Sequence, residues 1–309
     1  MPSCRPRRAS AVRLLAAALA ALALAGCAGS GDLTEGGPAA EVDGVAIERG
    51  PIAEDVRLLV EADPTLDQAE ATRRLLNIAI QSVALDQLLA ERGVTVTEED
   101  IAATGQDILA TVAGEEELDA VLLELSFTRG FYERVLLPFE TKLSRMAEVV
   151  GQDLVIEQRE ARHILVATQE EADAVVAELA AGADFAELAA ERSSDPGSAA
   201  NGGLLGVRER GAYVEEFEDA VWSAELNTVL GPVQTQFGFH VIEVVSATTV
   251  RGADLPIDQL RSRVVPDIEG LIRERLGTSV VTVAAGLGVW DAAAGQVVAD
   301  PAVGSGATP

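Results

Sequence analysis

The spacing of apolar residues changes twice along this chain, and those changes constrain its fold more than its composition does. Leu75, Ile78, Ala79, Val83 and Leu89 lie close to helical intervals, which predicts a helix over 66–91. Between 160 and 250, short period-two runs are interleaved with helical ones. From Pro256 the helical interval returns, with Ile257, Leu260, Val264, Ile268 and Leu271 near one face. The expected fold class is therefore α+β. An α/β unit is inserted in, or flanked by, a mainly helical domain, and pairing the two flanks buries faces that neither buries alone. At 309 residues the chain has room for about two domains of roughly 150 residues each.

Local signals sharpen this outline. Asp43-Gly44 inside 41–47 is a tight-hairpin signature. Thr97 and Asp100 form a capping-box pattern that opens a helix over 98–112. Helical runs follow at 115–125 and 129–150, where Pro138 should kink the second or mark its true start. In the middle unit a strand over 161–166 puts His163 and Leu165 on one face. An amphipathic helix over 170–181 closes at Gly182, and Asp184 with Glu187 caps a short helix. A helix over 214–222 turns Phe217, Ala220 and Val221 inward. Strands over 231–235 and 240–245 follow, and His240, Ile242 and Val244 share a face. Pro266 should kink or split the last helix. Beyond it, 280–283 and 296–298 are short β-prone runs around Trp290-Asp291.

The first 26 residues read as an export signal: Arg5, Arg7, Arg8 and Arg13 lead into an apolar run over 14–25. That run is shorter than the about 20 residues a membrane span needs. Acidic residues outnumber basic ones 50 to 23; without those four arginines 19 basic residues remain, and the net charge moves from −27 to −31. Such a surface repels phosphate backbones, so nucleic acid is excluded as a partner. Residues 28–40 are rich in Gly, Ser and Pro and lack periodicity, as expected of a flexible tether.

The candidate chemistry gathers around 193–206, SSDPGSAANGGLLG, a glycine- and serine-rich loop bracketed by the only two histidines, His163 and His240. No G-x-S-x-G elbow, P-loop or dinucleotide fingerprint is present. Two lone histidines, with cysteines only at Cys4 and Cys27, do not make a zinc-ligand set.

The segments ARHILV at 161–166, SDPGSA at 194–199, Gly202-Gly203, FEDA at 217–220 and GPVQTQFGFHVI at 231–242 resemble, in order and spacing, the parvulin (PpiC-type) peptidyl-prolyl isomerases. With its helical flanks, the chain from 41 to 290 more loosely resembles the extracytoplasmic foldases of SurA and PrsA type. Leu24-Ala25-Gly26-Cys27 resembles the lipobox of prokaryotic lipoproteins, which implies cleavage before Cys27 and its lipidation. The parvulin resemblance implies a catalytic set of His163, Asp195, Thr235 and His240. It also implies a proline pocket of Leu205, Tyr213, Phe217 and Phe237. Rotation about X–Pro breaks no bond, so neither cofactor nor metal is expected.

The implied function is a membrane-tethered isomerase and foldase acting on unfolded or nascent exported polypeptides and their X-Pro segments. The alternative is a non-catalytic holdase that uses the parvulin unit to bind peptide. One departure bears on the choice: Leu204 stands where the family usually carries an aspartate. The expected division is a lipoprotein signal peptide (1–26), a tether (27–40) and a helical, chaperone-like N-terminal domain (41–157). A parvulin-like domain (158–250) follows, then a C-terminal helix and short strands packing on the N-terminal domain (251–298), and a disordered tail (299–309).

Overall fold

The structure, a computed structural model, describes residues 36–112 and 114–301. The signal peptide, Cys27, all but the end of the tether, and residues 302–309 of the tail lie outside the described residues. Two compact units are formed: unit 2 is Gly151–Pro256, and unit 1 takes the chain on both sides of it.

Unit 1 begins with β1 (Pro38–Val42) and β2 (Val45–Glu48). Asp43 and Gly44 both take positive φ, 50° and 84°, as a two-residue hairpin turn of the primed kind requires. β1 starts three residues inside the expected tether. Its second neighbour, β7 (Val281–Val283), comes from the far end of the chain and gives Pro38–Ala40 a reason to be ordered that local sequence does not show.

Helix α1 (Arg49–Ala62) was not apparent in the apolar spacing. It is followed by α2 (Gln68–Glu91), whose N-cap Asp67 accepts from the Glu70 N–H at 2.7 Å. α3 (Glu98–Val112) opens on the expected capping box: Thr97 Oγ1 accepts from Asp100 N, and Asp100 Oδ2 accepts from Thr97 N. α4 (Glu115–Glu124) comes next. One turn at Arg129–Phe131 then passes through a π-helical stretch, Tyr132–Leu136, into α5 (Leu137–Gly151). Pro138 explains the change of hydrogen-bond step: it has no N–H to return to the Arg134 carbonyl, and Leu137 N reaches back to Tyr132 O instead.

In unit 2, β3 (Val155–Val166) pairs on one side with β4 (Leu204–Glu209) and on the other with β6 (Gly238–Arg251), and β5 (Val229–Thr235) closes the far edge. The order β4-β3-β6-β5 is antiparallel throughout. Helices α6 (Gln169–Ala180) and α7 (Phe185–Arg192) cover one face, where Val175, Phe185 and Leu188 meet Ile164, Val166 and Val241. Helix α8 (Glu215–Ser223) covers the other, where Phe217 and Val221 meet Ala161, Ile242 and Val244. β3 and β6 run well past the expected 161–166 and 240–245, because their polar ends are held by each other's backbone rather than by an apolar face. β4 is a further strand inside and beyond the expected loop.

Unit 1 resumes with α9 (Ile257–Thr278), which packs along α2. Its buried stripe is Leu260, Val264, Ile268, Ile272 and Leu276, a strict fourth-residue step. Ile257 is exposed, contrary to the expected face, and the helix is not split at Pro266. β8 (Val289–Asp291) and β9 (Gln296–Val298) form a final hairpin. No described helix is long and apolar enough to cross a membrane.

Candidate active site

β3 and β6 carry the two histidines. Leu165 stands opposite His240 and Ile242 opposite His163, so the imidazoles are diagonal neighbours on one face of adjacent strands. Their Nδ1 atoms are 3.0 Å apart, and both side chains are buried.

The loop between α7 and β4 is stitched to β3. Ser194 N donates to Leu165 O at 2.7 Å, and Ser193 Oγ accepts from Leu165 N at 3.1 Å. Gly203 N donates to Ser198 O, and His163 N donates to Gly203 O, each at 2.9 Å. Gly203 sits at φ +78°, and a Cβ there would collide with the His163 carbonyl; only glycine permits this approach. These bonds bring Asp195 to the end of the histidine pair. His163 Nε2 lies 2.9 Å from Asp195 Oδ2, and Ser198 Oγ donates to the same oxygen at 2.5 Å.

The hydrogen-bond directions follow from one fact: an ionised carboxylate only accepts. His163 therefore donates from Nε2 to Asp195. As a neutral imidazole its Nδ1 must accept, and His240 donates to it from Nδ1. His240 Nε2 then accepts from the Thr235 hydroxyl, 2.8 Å away. Thr235 Oγ1 in turn accepts from Phe237 N at 3.1 Å. One polarised chain thus runs from the Phe237 amide through Thr235, His240 and His163 to Asp195, with every ring nitrogen satisfied.

The charges agree with these directions. Hydrogen bonds from Ser198 and then His163 outweigh burial and pull the Asp195 carboxyl down to about 2. Burial, reinforced by the neighbouring His163, pulls His240 down to about 4. At neutral pH the site holds an anion at one end and a neutral imidazole at its centre.

Above this floor lies an apolar cradle. Phe217 meets both imidazoles edge-on, with centroids 5.6 Å from His163 and 5.1 Å from His240. Tyr213 packs on Phe217 at 4.9 Å, and Leu205 is half-buried in the same cluster. Phe237 stands apart: it is 64 % exposed at the β5–β6 turn, and only its backbone joins the chain of hydrogen bonds. The sequence assigns Ser198 no role, yet it touches both Asp195 and His163 Nε2. Its only signal was a hydroxyl three residues after a turn-forming Asp-Pro.

Leu204 lies on β4 opposite Arg162. Arg162 is already held by Glu243 on the other side, with Nη2 to Oε2 at 2.7 Å, and its guanidinium lies 4.4 Å over the Phe185 ring. The apolar residue therefore leaves no unpaired charge behind.

Residues 141–248 match the PPIC-type PPIASE domain family, a span that contains every residue of the site. Over 244 residues the chain is 35 % identical to the foldase protein PrsA of Halalkalibacterium halodurans, covering 75 % of this chain and 72 % of that one. The chain belongs to the PrsA foldase family. It is a peptidyl-prolyl isomerase by the same match. It is also 41 % identical over 97 residues to a parvulin-like PPIase of Rickettsia bellii, 30 % of this chain and 34 % of the relative. The crystal structure of the PrsA peptidylprolyl isomerase from Bacillus cereus aligns with a TM-score of 0.44 at 17 % identity, covering 79 % of this chain and 92 % of that one.

Proposed function

We propose that this PrsA-family chain is a membrane-tethered foldase that turns X–Pro bonds in unfolded, exported polypeptides. In this reading Asp195 faces the rotating carbonyl, and His163, His240 and Thr235 hold it in place. Leu205, Tyr213 and Phe217 seat the proline ring, and Phe237 covers the open side. The observation that carries it is the single-direction hydrogen-bond chain ending on an anionic Asp195 beside an aromatic cradle.

The reaction needs little else. The planar amide resists rotation by about 18–20 kcal/mol because conjugation puts negative charge on the carbonyl oxygen and double-bond character on C–N. A carboxylate close to that oxygen disfavours the planar form more than the twisted one, and each ~1.4 kcal/mol of that difference is tenfold in rate. The apolar cradle favours the twisted amide further, since rotation moves charge back onto the proline nitrogen.

The tether rests on Cys27 and the segment before it, and export on the same signal. Peptide exchange measured by NMR on an Ala-Pro substrate tests the chemistry. Catalysed exchange that is lost in Asp195→Ala is expected. Exchange at the uncatalysed rate, with aggregation of a proline-free client still suppressed, would instead establish the holdase reading.

A further inference from the structure

The loop between α7 and β4 holds one buried hydroxyl that the proposed chemistry does not use. Ser198 is only 2 % exposed, whereas the Asp195 side chain is 25 % exposed. A bound peptide can therefore meet Asp195 but not Ser198.

Asp195 is gripped first by its own turn. Its Oδ1 accepts from Gly197 N at 3.1 Å, and its Oδ2 accepts from Ser198 Oγ at 2.5 Å. Pro196, next in the chain, has no N–H to compete for either oxygen. The Asp195 carbonyl accepts from Ala199 N at 3.0 Å, which closes the turn. The last torsion of an aspartate side chain is broad, so a carboxylate tied at one oxygen can still swing; tied at both, its plane is set.

Ser198 also stands against His163. Its single hydroxyl proton goes to Asp195, so towards His163 Nε2, 3.1 Å away, Oγ can only accept. The His163 N–H is thus shared between Ser198 Oγ and Asp195 Oδ2, which lies at 2.9 Å. The bond from Ser198 to an ionised oxygen is of the strong, charge-assisted kind. It is the largest influence pulling the Asp195 carboxyl down to about 2.

Loop closure does not account for this hydroxyl. The bonds that shape the loop at Ser198 are made by its backbone: its carbonyl accepts from Asn201 N at 2.8 Å and from Gly203 N at 2.9 Å. Without the hydroxyl, Asp195 Oδ2 would keep His163 and His163 Nε2 would keep Asp195, so no buried polar atom would be left unanswered. What would be lost is the second anchor that the turn itself gives the carboxylate.

We infer that Ser198 is a positioning residue of the isomerase: its hydroxyl, set between Asp195 and His163, fixes the plane in which the Asp195 carboxylate meets the substrate carbonyl. The role of that carboxylate rests on the isomerase reading; the grip of Ser198 on it does not.

The test uses the full chain and the variants Ser198→Ala, Asp195→Ala and the two combined. Ser198→Ala should lower kcat for Ala-Pro exchange by about fivefold and leave KM within about twofold. In the Asp195→Ala background the same substitution should change the rate by less than about twofold, because a positioning residue acts only through its partner. A residue that only supports the loop would lower the rate alike in both backgrounds. The Asp195 carboxyl, followed by ¹³C NMR and assigned by its absence from Asp195→Ala, should titrate about one pH unit higher in Ser198→Ala. Equal losses in the two backgrounds, an undiminished kcat in Ser198→Ala, or an unmoved Asp195 titration would each overturn the assignment. Exchange at the uncatalysed rate in the wild-type chain would remove the isomerase reading instead, and the carboxyl titration would still judge the grip of Ser198 on Asp195.

Discussion

The His240 ring lies nearly parallel to that of His163, tilted by 16° with centroids 5.2 Å apart, and Phe217 stands edge-on to both. The pair is therefore fixed from three sides: by each other's Nδ1, by polar partners at the two outer nitrogens, and by an aromatic edge. A pair held this way is suited to aiming a carboxylate, and less to shuttling protons.

Removing the anion separates these roles. Asp195→Ala should lower the exchange rate of an Ala-Pro peptide by about tenfold or more, the equivalent of ~1.4 kcal/mol or more of lost transition-state preference. Asp195→Asn keeps the shape but not the charge, and should fall equally far if charge is the agent. NMR exchange rates on the three proteins decide the matter; an active Asp195→Asn would remove the electrostatic argument.

Thr235→Val deletes the hydroxyl that serves both His240 Nε2 and Phe237 N. A buried ring nitrogen left unpaired should destabilise unit 2 by about 1–3 kcal/mol. Thr235→Ser should restore most of it. Amide hydrogen exchange across β5 and β6 would read the change.

Gly203→Ala forces a side chain against the His163 carbonyl at a φ that disfavours one. Backbone strain and the broken His163–Gly203 bond together should cost about 2–4 kcal/mol, and the loop carrying Asp195 should lose its register. Thermal unfolding and Ala-Pro exchange should fall together.

The pH response has a definite sign. His240 binds its proton in the folded state only near 4, against 6.5 when exposed, so the unfolded chain takes up the proton first and stability declines from pH 6.5 to about 4. Asp195, held at about 2 against 3.8, keeps its contribution above pH 3.8 and loses it as pH falls towards 2. Neither Asp195 nor His240 titrates near neutrality, so neither should put a midpoint in the pH–rate profile between about pH 5.5 and 8. Thermal stability that did not decline between pH 6.5 and 4 would contradict the neutral His240.

Leu204→Asp tests the departure from the family pattern. The loop is already held by Ser193, Ser194, Ser198 and Gly203, and Arg162 already has Glu243. Restoring the aspartate should therefore change the Ala-Pro exchange rate by about threefold or less.

Much was legible in the chain itself. The hairpin at Asp43-Gly44, the caps at Thr97 and Asp184, and the alternation that puts His240, Ile242 and Val244 on one face are written in residues a few positions apart. Local backbone preference and strand or helix period act over that range, so these elements were legible in the sequence, and the resemblance to the parvulins implied His163, Asp195, Thr235 and His240 as a set. It did not determine β4, the start of β1 at Pro38, or the tails of β3 and β6, which exist because distant strands supply their hydrogen bonds. Nor did it place Ser198 on Asp195, or leave one Glu140 carboxyl oxygen and the Tyr132 hydroxyl buried without a hydrogen-bond partner in unit 1. Burial and partnership are properties of the packed chain. A residue's own neighbours in sequence set its conformation, but only tertiary structure decides whether its polar atoms are answered.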